Sequence, residues 1–146
     1  MTQDEHKKLG ISLFNATWTL IDKQDRTQAQ DLEMIHAAHA SAYHWLKAGG
    51  SATNEARSQW QISRVYAILR MGESALFHGM RSLALCQQNT LGGIDLPFGY
   101  EAVARAYAIL GNDAEKEKNK AAALAACEEI ADKADRKYVE GEIQTI

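Results

Sequence analysis

Two sets of side chains in this sequence have the types and spacing that chemistry needs. The first is a group of histidines: His36, His39 and His44 lie close together, and His78 stands further on. Positions 36 and 39 are three apart, so on a helix they face the same way, as a metal-binding pair must. His39 falls between Tyr43 and Leu46 in an apolar arc, while His44 points elsewhere, beside Glu33 and Ala37. A metal site takes three or four converging ligands and only two converge here, so no metal is expected. If helices two and four touch, His78 supplies a third ligand. His36, His39, Tyr43 and His78 then frame the pocket of a small-ligand or metal-binding, even catalytic, protein; in the other reading His39 is a core histidine with one hydrogen-bond partner and His36 an edge residue.

The second set is cationic. Arg57 and Arg64 share one segment with Trp60, and Arg105 follows Glu101 at a spacing of four. If the segments carrying Arg64 and Arg105 are neighbours, the two guanidiniums form a row that grips carboxylates, the arrangement that captures an acidic peptide or protein. Arg57, Trp60, Arg64, Glu101 and Arg105 are then the groove residues. In the competing reading the arginines are solvated or internally paired, with Glu101 and Arg105 forming an ion pair worth a few tenths of a kcal/mol. Trp60 points away from the stripe of Ile62, Val65 and Leu69, which sends it to a neighbouring element or into the groove.

Enzyme signatures are missing. There is no phosphate-cradling glycine loop, no His-Glu-x-x-His, no Cys-x-x-Cys and no Gly-x-Ser-x-Gly. Glu33-x-x-His36 has the spacing of a carboxylate di-metal bundle only once, where such a bundle needs two copies. No catalytic residue is nominated, no cofactor is expected, and a non-enzymatic role is the first expectation.

The elements that hold these residues are helices. Ala, Leu, Glu, Lys and Gln fill the long segments, and the sole proline is Pro97. Thr2-x-x-Glu5 and Thr27-x-x-Gln30 are capping boxes for the first two helices. Gly49-Gly50 stops the second, and Ser51 to Glu55 opens the third. Gly72 is expected to break the third from the fourth, which runs from about Glu73 to Gln88. Pro97 is expected at the first position of the fifth helix. Asn112-x-x-Glu115 caps the sixth, and the tail carries Tyr138, Val139 and Ile143 back onto it. In helix four, Ala75, Gly79, Ser82 and Cys86 make one smooth side suited to close packing.

The back half of the chain repeats. Arg64-Val65-Tyr66-Ala67-Ile68-Leu69 returns as Arg105-Ala106-Tyr107-Ala108-Ile109-Leu110, and Leu83-Ala84-Leu85-Cys86 as Leu124-Ala125-Ala126-Cys127. Tyr107 follows Tyr66, and Cys127 follows Cys86, by the same 41 residues, with no gap between the blocks. A repeat of this size that reads as two helices predicts a stack of helical hairpins. Stepping the same distance back from Cys86 reaches Trp45, so the first hairpin keeps the register although its residues differ. The single domain then consists of hairpins over about 2–49, 52–88 and 97–134, with a capping tail at 135–146.

Trp60, Tyr66, Gly72 and Ala75 resemble the tetratricopeptide-like pattern of an early aromatic residue and small residues at the turn. Ala38-His39-Ala40-Ser41-x-Tyr43-His44-Trp45, Trp60 to Tyr66 and Phe98-x-Tyr100-Glu101-Ala102 are similar to stretches in short stand-alone bacterial proteins of that kind. The period of 41 exceeds the usual 34, and the closing proline is missing. The resemblance implies an all-α fold, three antiparallel hairpins stacked in a right-handed superhelix, and a groove lined by the first helix of each hairpin. It carries no activity with it.

Bulk properties narrow the partners and the compartment. Sixteen basic against nineteen acidic residues leave a net charge of −3, so no nucleic acid is expected as a partner. Met1 to Lys8 has no apolar segment behind it, and no run of about 18 apolar residues occurs, so neither export nor a membrane is expected. A reducing cytoplasm is the expected compartment. Cys86 and Cys127 then read as small apolar residues, with a disulfide between equivalent positions as the alternative. The expected partner is a protein or acidic peptide, and a homodimer is possible through an uncovered end of the stack.

Overall fold

Reciprocal side-chain caps start the first three helices. Thr2 accepts the Glu5 N–H while Glu5 takes the Thr2 N–H, and Thr27 with Gln30 and Ser51 with Asn54 repeat the arrangement. The computed structural model describes residues 1–146. It contains seven helices and no strand: α1 (Gln3–Asp22), α2 (Gln28–Lys47), α3 (Ala52–Ile68), α4 (Gly72–Gln88), α5 (Asp95–Leu110), α6 (Asp113–Cys127) and α7 (Lys133–Gln144). None is long and apolar enough to cross a membrane.

Consecutive helices pack as hairpins α1–α2, α3–α4 and α5–α6, and each hairpin rests on the next through α2–α3 and α4–α5. The first helices also meet one another, α1 with α3, α3 with α5 and α5 with α7. They form one continuous face, called the first-helix face below. The repeat is visible in backbone geometry. Met71 N–H bonds to Tyr66 O at 2.9 Å, and Asn112 N–H to Tyr107 O at 3.0 Å, after left-handed residues Arg70 and Gly111. Gly50 N–H to Trp45 O (3.0 Å) and Leu91 N–H to Cys86 O (2.9 Å) match in the same way, after left-handed Gly49 and Thr90. Ser41 and Ser82, equivalent again, donate to the Gly10 and Ala56 carbonyls at 2.8 and 2.9 Å. The first hairpin therefore keeps the register at the end of α2, despite its weak sequence match.

The core is built largely from small side chains. Met34, Ala38, Ile62 and Val65 fill one cluster, and Ala67, Ala75 and Ala106 another. Gly79 sits where α4 crosses α3 and α5. A Cβ there would stand 3.1 Å from Ser63 Oγ and 3.3 Å from Ala102, so the missing side chain permits the approach.

Three local expectations are corrected. Gly72 does not break the third helix; Leu69 to Met71 do, with Arg70 at φ 64°, and Gly72 is the first residue of α4. Its bareness serves packing, because a Cβ would fall 2.8 Å from Leu110. Pro97 is the third residue of α5, not the first. The first four N–H groups of a helix lack intrahelical acceptors, so a proline is tolerated anywhere in that turn. Helix six ends at Cys127 instead of near residue 134. Ile130 turns inward, and Arg136 caps the freed carbonyls of Cys127 and Glu128 at 2.9 and 2.6 Å.

Both cysteines are buried free thiols in separate clusters, Cys86 with Ala56 and Leu85, Cys127 with Ala123, Val139 and Ile143. No disulfide joins them. Burial, with the nearby Asp95 charge, pushes the Cys86 thiol up to about 11, and burial raises Cys127 too, so neither is a ready nucleophile.

Candidate functional site

The first-helix face is organised by one buried carboxylate. Arg57, Trp60 and Arg64 recur three and seven residues apart on α3, and Phe98, Glu101 and Arg105 occupy the equivalent places on α5. Such spacing puts each triplet on one side of its helix. Glu101 is 1% exposed. Its Oε1 accepts from Arg64 Nη1 at 3.1 Å and from Arg105 Nε at 2.7 Å, and its Oε2 from Trp60 Nε1 at 2.8 Å. Glu142 on α7 takes Arg64 Nη2 at 3.1 Å. Arg105 Nη2 reaches the Glu142 carbonyl at 3.1 Å and Thr145 Oγ1 at 2.8 Å.

Arg64 and Arg105 are thus neighbours, as the repeat requires, but they do not stand open as a carboxylate-gripping row. Two guanidiniums face two carboxylates within the chain, and α7 lies across them. Arg57 is engaged as well, donating to both Asp95 oxygens at 2.8 and 3.2 Å; the hydrogen bond that Asp95 accepts raises the already high pKa of Arg57.

Beside this network the aromatic residues enclose a cavity of about 220 Å³. Trp18 and Trp60 stack with centroids 5.7 Å apart at 29°. Phe98 meets Trp60 at 5.2 Å, and Tyr138 of α7 closes on Phe98 at 6.2 Å. Phe14 and Ile94 complete the apolar wall, with the Arg57–Asp95 pair also on the lining. Trp60 therefore packs on the neighbouring helices and lines a cavity at once. Trp18, Phe98 and Tyr138 were not among the expected site residues. The repeat offset could have found Phe98, which stands opposite Arg57 in the next layer, and Glu142, which follows Glu101 as Glu101 follows Trp60.

The histidine group divides. His39 and His78 come together, centroids 5.5 Å apart, with Tyr66 between α2 and α4. His39 Nε2 and the Tyr66 hydroxyl are 2.8 Å apart, Tyr66 stacks on His78 at 18°, and His78 Nδ1 lies 2.7 Å from Gln59 Oε1. His39 has the expected hydrogen-bond partner but is exposed, not core. His36 faces away, into the groove between α1 and α2 beside Leu20 and Glu33. Tyr43 is half exposed and sits with His6 and His44, whose Nδ1 atoms are 2.8 Å apart. The four proposed pocket residues do not surround one cavity, and no three metal-ligating side chains converge.

Comparison with family models, with curated proteins and with solved structures finds no match.

The histidine pair has a consequence for stability. Burial, with a smaller repulsion from His39, lowers His78 to about 4, and partial desolvation, then His36, lowers His39. Phe77, Tyr66 and Gln59 are the other groups against His78, and no carboxylate, ammonium or guanidinium is among them. The unfolded chain titrates these imidazoles near 6.5, so between there and pH 5 it binds more protons than the folded chain. Stability should fall as pH drops through that window, by about 1 kcal/mol after allowing for solvent screening of a half-buried ring. Urea unfolding at pH 6.5 and 5 checks this; His78→Gln should flatten the slope.

Proposed function

We propose that the chain is a non-enzymatic, tetratricopeptide-like binding module of right-handed hairpin stacks, and that its first-helix face receives a peptide segment of a protein partner. The anchor of that segment is an aromatic side chain, seated between the Trp18–Trp60 stack and Phe98. The observation that carries this reading is the chain's own use of the site. Tyr138, an aromatic side chain on a short amphipathic helix, is docked at the rim of the same cavity against Phe98. An incoming segment would present the same chemistry further in. Aromatic anchors in well-packed pockets dominate the binding energy of such surfaces.

This reading departs from the acidic peptide suggested by Arg64 and Arg105. Those arginines are neutralised by Glu101 and Glu142. A carboxylate on the partner would have to displace an internal one, so apolar burial, not charge, selects the ligand. The pocket around His36, His39, Tyr43 and His78 gains nothing from the geometry.

Selection from a random peptide library on immobilised protein tests the proposal. Enriched sequences should share a Trp, Tyr or Phe and should quench or shift the Trp18–Trp60 fluorescence on titration. Filling the cavity by Ala56→Leu should abolish binding by those peptides. Enriched peptides without an aromatic residue, or ones that bind the filled variant equally well, would sink it.

A further inference from the structure

A second pocket lies away from the aromatic cavity, between the end of α2 and the start of α3. Its volume is about 180 Å³, and Tyr43, Trp45, Asn54, Glu55, Ser58 and Gln59 stand on its wall. Behind Trp45 a smaller cavity of about 150 Å³ continues it, sharing Trp45, Asn54 and Ser58 and adding Asn15, with Phe14 and the Asp95-paired Arg57 standing between it and the aromatic cavity. Ser58 is only 4% exposed, yet its hydroxyl has no hydrogen-bond partner in the protein. The other three buried serines each donate to a carbonyl of a neighbouring helix, Ser41 to Gly10, Ser63 to Ala75 and Ser82 to Ala56, and Ser58 does not. An unpaired buried hydroxyl is costly, and Ser58 belongs to the wall that the two cavities share.

The other polar groups define what that ligand is. Asn54 Oδ1 is taken by the Ser51 N–H and hydroxyl at 3.1 and 3.0 Å, which leaves its amide NH2 as a donor. Gln59 Oε1 is taken by His78 Nδ1, which leaves its NH2 as a donor as well. Glu55 Oε1 accepts from Arg81 at 3.0 Å, and its second oxygen remains an acceptor. Glu55 is the only charged side chain on this wall and Arg81 balances it, so the pocket asks for no charge. Two donors, an acceptor and a hydroxyl that does both suit a ligand whose own groups each donate and accept, namely adjacent hydroxyls. Tyr43 and Trp45 add two aromatic rings to the lining, a surface on which the C–H face of a sugar ring packs. The space is well beyond what one bridging water fills.

We propose that this pocket binds a neutral polyol the size of a single monosaccharide unit. Asn54, Gln59, Glu55 and Ser58 bond its hydroxyls, and Tyr43 and Trp45 cover its apolar face. The pocket itself shares no wall residue with the aromatic cavity of the peptide-binding face.

Amide chemical shifts of the 15N-labelled chain, titrated with D-glucose, D-galactose, D-mannose and N-acetyl-D-glucosamine in turn, test it. At least one sugar should give saturable shifts confined to residues 42–46 and 51–59. Ser58→Ala should weaken that sugar by about tenfold, as expected when a hydrogen bond to a buried group is lost. Removing an unpaired buried hydroxyl does not unfold a protein, so the variant's unchanged remaining spectrum certifies the fold. Tyr43→Ala, an exposed position, should weaken the same sugar without touching the polar set. No saturation by any of the four sugars, leaving a pocket filled by water only, would overturn the proposal. Equal affinity in Ser58→Ala would overturn it too.

Discussion

Replacing Glu101 by alanine should cost about 3–5 kcal/mol, the range for removing one partner from a buried charge network. Three donors converge on that carboxylate, and all three lose their acceptor together. Arg64 and Arg105 are 18% and 16% exposed, so water reaches neither freely, and they would be left facing each other. Trp60 would lose the partner of its indole N–H in the same step. Urea unfolding should show a lower midpoint with an unchanged slope, because the same surface is exposed on unfolding. Glu101→Gln keeps an acceptor for Trp60 but turns an amide towards the guanidiniums, and should recover only part of the loss. A Glu101→Ala cost under about 1 kcal/mol, the scale of an exposed pair, would show that the network is wet and not an organising element.

Ile143→Ala should release α7. Ile143 and Val139 are fully buried against Ala123, Cys127 and Ile130, and they are the apolar anchors of an otherwise polar helix. Truncating a buried isoleucine costs about 2–5 kcal/mol. A terminal helix does not need the whole chain to unfold in response, so the loss should appear locally. Hydrogen exchange should rise across residues 133–144 while α3 and α4 keep their protection. Glu142 and Tyr138 leave with the helix, so Arg64 gains exposure and the Trp60 emission shifts as Phe98 is uncovered. Uniform loss of protection along the chain would mean instead that α7 is an integral layer.

These two sites show what the sequence could and could not convey. The helix starts were readable because Thr2, Thr27 and Ser51 cap within three residues of themselves, a local interaction. The stacking was readable because Tyr66 and Tyr107 repeat with their flanks, and repetition reports a shared environment. The meaning of Arg64 and Arg105 was not readable from that alone. Whether an arginine is open or paired depends on groups distant in sequence, here Glu142, 78 residues from Arg64. His39 misled for a related reason. It lies in an apolar arc on its own helix, but the arc is not covered: His39 meets Tyr66 and His78 from the side, and Tyr43 and Leu46 stay exposed with it. Ser58 gave no signal at all, since a missing partner is a property of three-dimensional surroundings. Helix boundaries failed where packing, not propensity, decides, as at Gly72 and Ile130.

The rungs between α3, α5 and α7 run from arginine to glutamate twice, and the last ends on a carbonyl and the Thr145 hydroxyl. That ending leaves the network with two cations on two carboxylates and no surplus charge, so it adds almost no field beyond the Debye length. The network itself neither draws a partner in nor repels it from afar. On its account the arrival rate should hardly notice added salt, and discrimination begins only at contact.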